Sequence, residues 1–195
     1  MIVLVRHGRT SLNAHGLLQG RVDEPLDDIG RRQIDTVASR LITQLDVAAV
    51  VASPLSRARQ SAEIIADRLG HPEPVSIDER WIELDYGVLD TQPVGTVPAS
   101  VWESWRTDPH FAPDGGESFA SLDARVHEAC REWSERAAGR DIVVVSHVSP
   151  IKSAVAWALG ADPAIAHRSR LGQAAVCRID IGRFGPTLVS FNEPL

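Results

Sequence analysis

An apolar run, Ile2–Val5, ends abruptly in Arg6, His7 and Gly8. Adjacent cationic side chains at the mouth of a strand repel each other unless an anion lies between them. Two later segments repeat the pattern. "VVASPLSRARQ" puts Arg57 in the opening turn of a helix, and "IVVVSHVSPIK" puts His147 immediately before one. Strands of one parallel sheet end on the same edge, so Arg6, His7, Arg57 and His147 converge there. Two guanidiniums, two imidazoles and a helix N-terminus make a site for a dianion such as phosphate. Phosphoryl transfer asks little beyond a nucleophile and positioned cations. A neutral imidazole is such a nucleophile, and flanking guanidiniums favour that neutral form. Taken singly, each residue has a plainer reading. A strand-end arginine is most often a surface ion pair, a strand-end histidine a hydrogen-bonded structural residue, Asn13 a turn residue and Glu83 a solvated acid. Only the combination outweighs these.

The elements that must position them alternate between strands and helices. Ile2–Val5, Ala48–Ala52 and Ile142–Ser146 are short aliphatic runs that read as buried strands, with Val75–Ile77 a weaker one. "DDIGRRQIDTVASRLITQL" has a helical stripe of Ile34, Val37, Ala38, Leu41 and Leu45, with Asp27 or Asp28 as its cap. "SRARQSAEIIADRLG" predicts a second helix stopped by Gly70, and "SFASLDARVHEACREWSERAAG" a third capped by Ser118. "SPIKSAVAWALG" predicts a fourth, with Pro150 in its first turn, where the missing N–H is harmless. "AAVCRIDI" and "TLVSFN", separated by "GRFGP", read as a terminal hairpin. Between Tyr86 and Gly116 no period emerges, and the segment is rich in Pro, Gly and Trp. The pattern predicts an α/β fold: a three-layer sandwich with a mainly parallel central sheet and helices on both faces.

At 195 residues the chain fits one domain, 1–195. Its charge of −6 argues against nucleic acid or anionic lipid as partners of the surface as a whole. Cys130 and Cys177 have no metal-ligand spacing and read as free buried thiols in a reducing compartment. No run reaches membrane length, so the expected location is the cytoplasm. The five tryptophans read as core or lid packing, with no cofactor required.

"LVRHGRTSLN" resembles the Arg-His-Gly-x-Thr signature of the histidine phosphatase superfamily, the phosphoglycerate mutase-like proteins. The resemblance continues in order through "LQGRVDEPLDDIGRRQ", "SPLSRARQSAEIIA", "IDERWIELDYG", "GGESF" and "VVVSHVSPIK". It implies that His7 accepts the phosphoryl group, that Arg6 and Arg57 clamp its oxygens, and that His147 donates to it. It further implies Asn13 in the phosphate pocket, Gln19 and Gly20 bordering the substrate, and Glu83 as proton donor to the leaving oxygen, with no metal. A carboxyl beside a bound dianion is expected to hold its proton until the alcohol leaves. Where many relatives have a glycine pair after His147, this chain has Val148-Ser149-Pro150, so the backbone amide of Val148 must make any phosphate contact there. That variant is similar to acid phosphatase and α-ribazole phosphatase-type members of the phosphatase branch.

These readings converge on a metal-independent phosphomonoester hydrolase acting through phosphohistidine on a small phosphorylated metabolite. The alternatives are a cofactor-dependent phosphoglycerate mutase and, behind it, a non-catalytic phospho-ligand module. Substrate choice is expected to lie in a lid at about 86–117, where Arg106 is the only arginine or lysine. A homodimer is left open by family analogy.

Overall fold

The computed structural model describes residues 1–193, the side chain of Pro163 excepted. Six strands form one mixed sheet: β1 (Ile2–Arg6), β2 (Val47–Ala52), β3 (Ser76–Ile77), β4 (Asp141–Ser146), β5 (Val176–Gly182) and β6 (Gly185–Glu193). Their order is β3-β2-β4-β1-β5-β6. The first four run parallel; β5 is antiparallel to β1, and β6 to β5. The expected terminal hairpin therefore extends the main sheet, which is parallel only across its functional half. β3 is reduced to two residues, in keeping with its weak apolar signal.

Alternation along β1 divides the core. Ile2 and Leu4 face α5 (Phe119–Ala137) and α6 (Val148–Leu159), meeting Leu122, Val126 and Ile151. Val3 and Val5 face α2 (Asp28–Leu41) and α3 (Ser56–Leu69), meeting Ile34, Ala38, Ala62 and Ile65. Because both faces are covered, the central strands need apolar residues at every position rather than at alternate ones.

The caps follow the expected chemistry. Asp27 accepts from the Gly30 N–H at 2.7 Å to open α2, and Ser118 accepts from Ser121 to open α5. Gly70 and Gly160 end α3 and α6 in the left-handed conformation. α2 stops at Leu41, before the Leu45 that extended its stripe in sequence. Two helices had no sequence counterpart. α1 (Ser11–Ala14) is one turn capped by Thr10, and α4 (Ala99–Thr107) lies inside the aperiodic lid segment. Val101, Trp102 and Trp105 carry the α4 stripe, and Trp105 is buried against Leu18, Leu89 and Val97. Among the described residues no helix is long and apolar enough to cross a membrane.

Candidate active site

The order β2-β4-β1 makes neighbours of the three strand ends that carry the site. Pairing aligns Arg6 with Ser146 and Ala52 with Val145. It continues one residue further, with the His7 N–H on Ser146 O and the Ser53 N–H on Val145 O, both at 3.0 Å. His7, Ser53 and His147 thus leave the sheet at one height.

Gly8 then turns the chain against the start of α2. A Cβ at Gly8 would lie 2.4 Å from Gly30 O, and one at Gly30 would lie 2.1 Å from Arg9 O. Only two glycines permit this approach, which holds the loop after His7. The His7 Nδ1–H donates to Gly8 O at 2.7 Å, leaving Nε2 with its lone pair. His7 is 3% exposed. Burial first, then Arg57 and Arg6, hold its pKa well below the ordinary imidazole value.

His147 is wholly buried, its ring centroid 5.1 Å from that of His7. Its Nδ1 accepts from Arg57 Nε at 3.2 Å, so the proton resides on Nε2 and goes to Ser53 Oγ at 2.6 Å. Its pKa too is held well below the usual value, again by burial and then Arg57. Both ring nitrogens are therefore engaged within the protein, which leaves the Ser53 hydroxyl proton to be donated.

Arg57 is completely buried, and its guanidinium is fixed by carbonyls of the loop before α2. Nη1 donates to Val22 O at 2.8 Å, and Nη2 donates to Gly20 O at 2.7 Å and to Gln19 O at 3.4 Å. Burial pushes its pKa down to about 10, still charged at neutral pH, with Glu83 acting in the opposite sense. Arg6 donates through Nη1 to Leu171 O, while its buried Nε has no partner.

Glu83 is 4% exposed. Its Oε1 accepts from the N–H groups of Leu84 at 2.8 Å and Ser149 at 3.2 Å, and Oε2 accepts from Val148 at 3.1 Å. The Val148 amide, expected to meet phosphate, is bound in this structure to the protein's own carboxylate. A helix N-terminus favours an anion, and the Glu83 carboxylate takes that place, close enough to favour the charged forms of both Arg6 and Arg57.

Asn13 and Gln19 complete the rim. Thr10 joins them, its Oγ1 donating to Gln19 Oε1 at 2.8 Å and accepting from the Asn13 N–H. Asn13 Oδ1 and Gln19 Nε2 are buried without partners, as is Arg6 Nε. A buried polar atom left unpaired costs about 1–3 kcal/mol, and three of the six such atoms among the described residues fall on expected site residues. Gly20 has no room for a side chain: its N–H donates to Asp90, whose Oδ1 would lie 2.4 Å from a Cβ.

Several residues of the site were not foreseen from sequence. Ser53 had only its place at a strand end to recommend it. Arg125, on α5, donates to the carbonyls of Arg80, Ile82 and Glu83 and pairs with Glu117 at 2.8 Å. Arg21 pairs with Asp85 and Glu117, adding a second clamp on the segment that carries Glu83. Such contacts join positions far apart in the chain and have no local signal. Among the described residues no group of three or more His, Cys, Asp or Glu side chains is arranged to hold a metal.

Residues 2–194 match the model of the histidine phosphatase superfamily, branch 1, and the chain belongs to that family of enzymes. Among curated relatives, a probable phosphoglycerate mutase GpmB of Yersinia enterocolitica is 35% identical over 92% of this chain and 84% of its own. Among solved structures, a mutant phosphoserine phosphatase from Entamoeba histolytica in complex with phosphoserine superposes with a TM-score of 0.87 at 26% identity, covering 98% of this chain and 96% of that one. A putative α-ribazole-5′-P phosphatase from Escherichia coli gives 0.83 at 27% identity, with 98% and 95% covered.

Proposed function

We propose that this chain hydrolyses small phosphomonoesters through a phosphohistidine on His7, with protein cations rather than a metal ion stabilising the transferring group. The observation that carries the reading is a buried imidazole held neutral, with a free Nε2 and flanked by Arg6 and Arg57, which also feel the Glu83 carboxyl at a helix N-terminus.

In the first step the Nε2 lone pair of His7 attacks phosphorus, and the ester P–O bond breaks toward the leaving oxygen. That oxygen takes a proton from Glu83. The Nδ1–H bond to Gly8 O steadies the cation that forms on the ring. In the second step a water oxygen attacks phosphorus and gives its proton to the Glu83 carboxylate. The P–N bond breaks and its electron pair returns to Nε2. Arg6, Arg57, Asn13 and the Val148 amide would bind the phosphoryl oxygens, with Gln19 and Gly20 bordering the alcohol. In this scheme the incoming dianion takes the place of the Glu83 carboxylate on the α6 amides, and the displaced carboxylate, beside that dianion, takes a proton from water and then turns to the leaving oxygen. His147 holds Arg57 in place and, through Ser53, offers a hydroxyl proton to the same group.

A mutase is the second reading, favoured by the name carried by the 35% identical relative. Hydrolysis is preferred because a mutase must grip a second phosphate and a carboxylate while excluding water. The lid's Arg106 is exposed and lies 3.9 Å from Glu103, and Arg21 and Arg125 are held by Asp85 and Glu117. The test runs phosphate release from a panel of phosphomonoesters beside a coupled assay for interconversion of the phosphoglycerate isomers, with and without chelator. Phosphate release that is faster than interconversion and insensitive to chelator is expected. Interconversion outrunning release makes the chain a mutase instead.

A further inference from the structure

A cavity of about 190 Å³ opens beside the helix terminus that holds Glu83. Val148 and Ser149, whose amides bind the Glu83 carboxylate, form part of its wall, so the cavity adjoins the residue assigned to the leaving oxygen. Its other walls include the rings of Tyr86, Trp102, Trp105 and Phe119. The rings brace one another. Trp105 lies edge-on to Tyr86 at 5.6 Å and tilted against Trp102 at 5.2 Å, and Phe119 packs edge-on to His167 at 5.1 Å.

Polar side chains interrupt these apolar walls, among them Ser149, Lys152 and His167. Lys152, the chain's only lysine, gives two of its three N–H bonds to Ala166 O at 2.8 Å and Ser169 O at 2.7 Å, leaving the third for a ligand. Trp105 is 3% exposed, and its buried indole N–H has no partner. Simple lid packing would call for neither a half-buried lysine nor an unmatched donor among four rings.

We propose that this cavity is the leaving-group subsite, and that the substrate is a phosphomonoester whose alcohol carries one flat aromatic ring with a hydrogen-bond acceptor at its edge. The proposal rests on the phosphatase reading above and narrows its substrate class. Size agrees, since an apolar cavity of about 150 Å³ in another protein takes up benzene. Chemistry agrees as well. Aromatic walls favour edge-to-face contact with a planar group, and the third N–H of Lys152 seeks an acceptor.

Binding of non-hydrolysable phosphonates tests the subsite apart from turnover. Phenylpropylphosphonate and propylphosphonate, titrated calorimetrically into the full chain, share the phosphonate and differ in the ring. Burying a ring of that size is expected to tighten binding about ten- to a hundredfold. Trp102→Ala is expected to narrow the difference to below about threefold, since one wall of the ring contact is gone. A para-carboxy derivative is expected to bind more tightly than the plain phenyl compound, and Lys152→Met to remove that gain. Equal affinity for the two parent phosphonates overturns the subsite, as does failure of both to bind. Equal affinity alongside rapid release of phosphate from alkyl phosphates overturns the subsite and leaves the phosphatase reading standing. Ring preference without phosphate release from any ester does the reverse.

Discussion

In the proposed mechanism His7 must be neutral to attack phosphorus, and its surroundings favour that form. Burial and two guanidiniums oppose protonation, while the Nδ1–H bond to Gly8 O points the reactive nitrogen away from the backbone. His7→Ala is expected to reduce turnover by roughly 10⁴-fold or more, the scale on which covalent enzymes feel the loss of a nucleophile. Rapid acid or base quench of the wild type with labelled substrate should trap phosphate that is acid-labile and base-stable. A variant that retained a substantial fraction of wild-type rate would remove His7 from the role. Glu83 is separated from His7 by leaving-group chemistry. A nitrophenolate departs with little protonation, whereas an alkoxide needs a proton worth ~10²–10⁴ in rate. Glu83→Gln should therefore damage single-turnover phosphorylation by alkyl phosphates far more than by aryl phosphates. Equal losses would leave Glu83 as an anchor for α6 and nothing more. The residue scale was the most legible in sequence, because strand-end Arg and His sit beside unmistakable apolar runs. What Glu83 touches was not legible, since its partners Val148 and Ser149 are 65 and 66 residues away.

At the scale of elements, the site depends on how closely the loop after β1 meets α2. Gly8 and Gly30 face each other across this contact, and each Cβ would fall under 3 Å from backbone atoms that have no free rotation to yield. Gly30→Ala should therefore cost about 1–3 kcal/mol through forced backbone shifts. It should also lower activity, because the displaced loop carries His7. Urea denaturation and kcat measured together check this, and an unchanged midpoint would show that the contact is slack. The same scale explains what the sequence concealed. The capped, strongly periodic helices α2, α3, α5 and α6 were legible because one apolar face of each meets the sheet. α4 has nine residues between Pro98 and Asp108 and packs on a small aromatic cluster away from that sheet, so its stripe is too short to stand out. The place of the terminal hairpin beside β1 was hidden for a different reason. Pairing of β5 with β1 joins residues some 170 positions apart, and apolar alternation alone does not say which strand lies next to which.

For the whole molecule, building a phosphate site inside the fold has a consequence for stability. His7 and His147 are both buried and both held neutral, by burial first and then chiefly by Arg57. In the unfolded chain each binds a proton as pH falls through about 6.5, while in the native protein each resists until well below that. The unfolded state therefore holds more protons, and stability falls as pH drops below about 6.5. The slope approaches roughly 1.4 kcal/mol per pH unit for each histidine where the unfolded form is charged and the native form is not. Asp27, Asp78 and Glu193, whose pKa values are lowered, act in the same direction only once pH nears their ordinary carboxyl range, about 4. The interval from pH 7 to pH 5 thus belongs mainly to the two histidines, with half-buried His167, whose pKa is also lowered, adding to the slope and Asp90 and Asp123, whose pKa values are raised, opposing it toward the acid end. Urea midpoints measured in phosphate-free buffer should fall steadily across that interval, and His7→Gln with His147→Gln should remove most of the slope. Added phosphate should also flatten it, because a dianion beside His7 offers the charge that its protonation requires. A midpoint that stayed level from pH 7 to pH 5 would mean that the two imidazoles carry protons in the native protein, and the neutral nucleophile would fall with it.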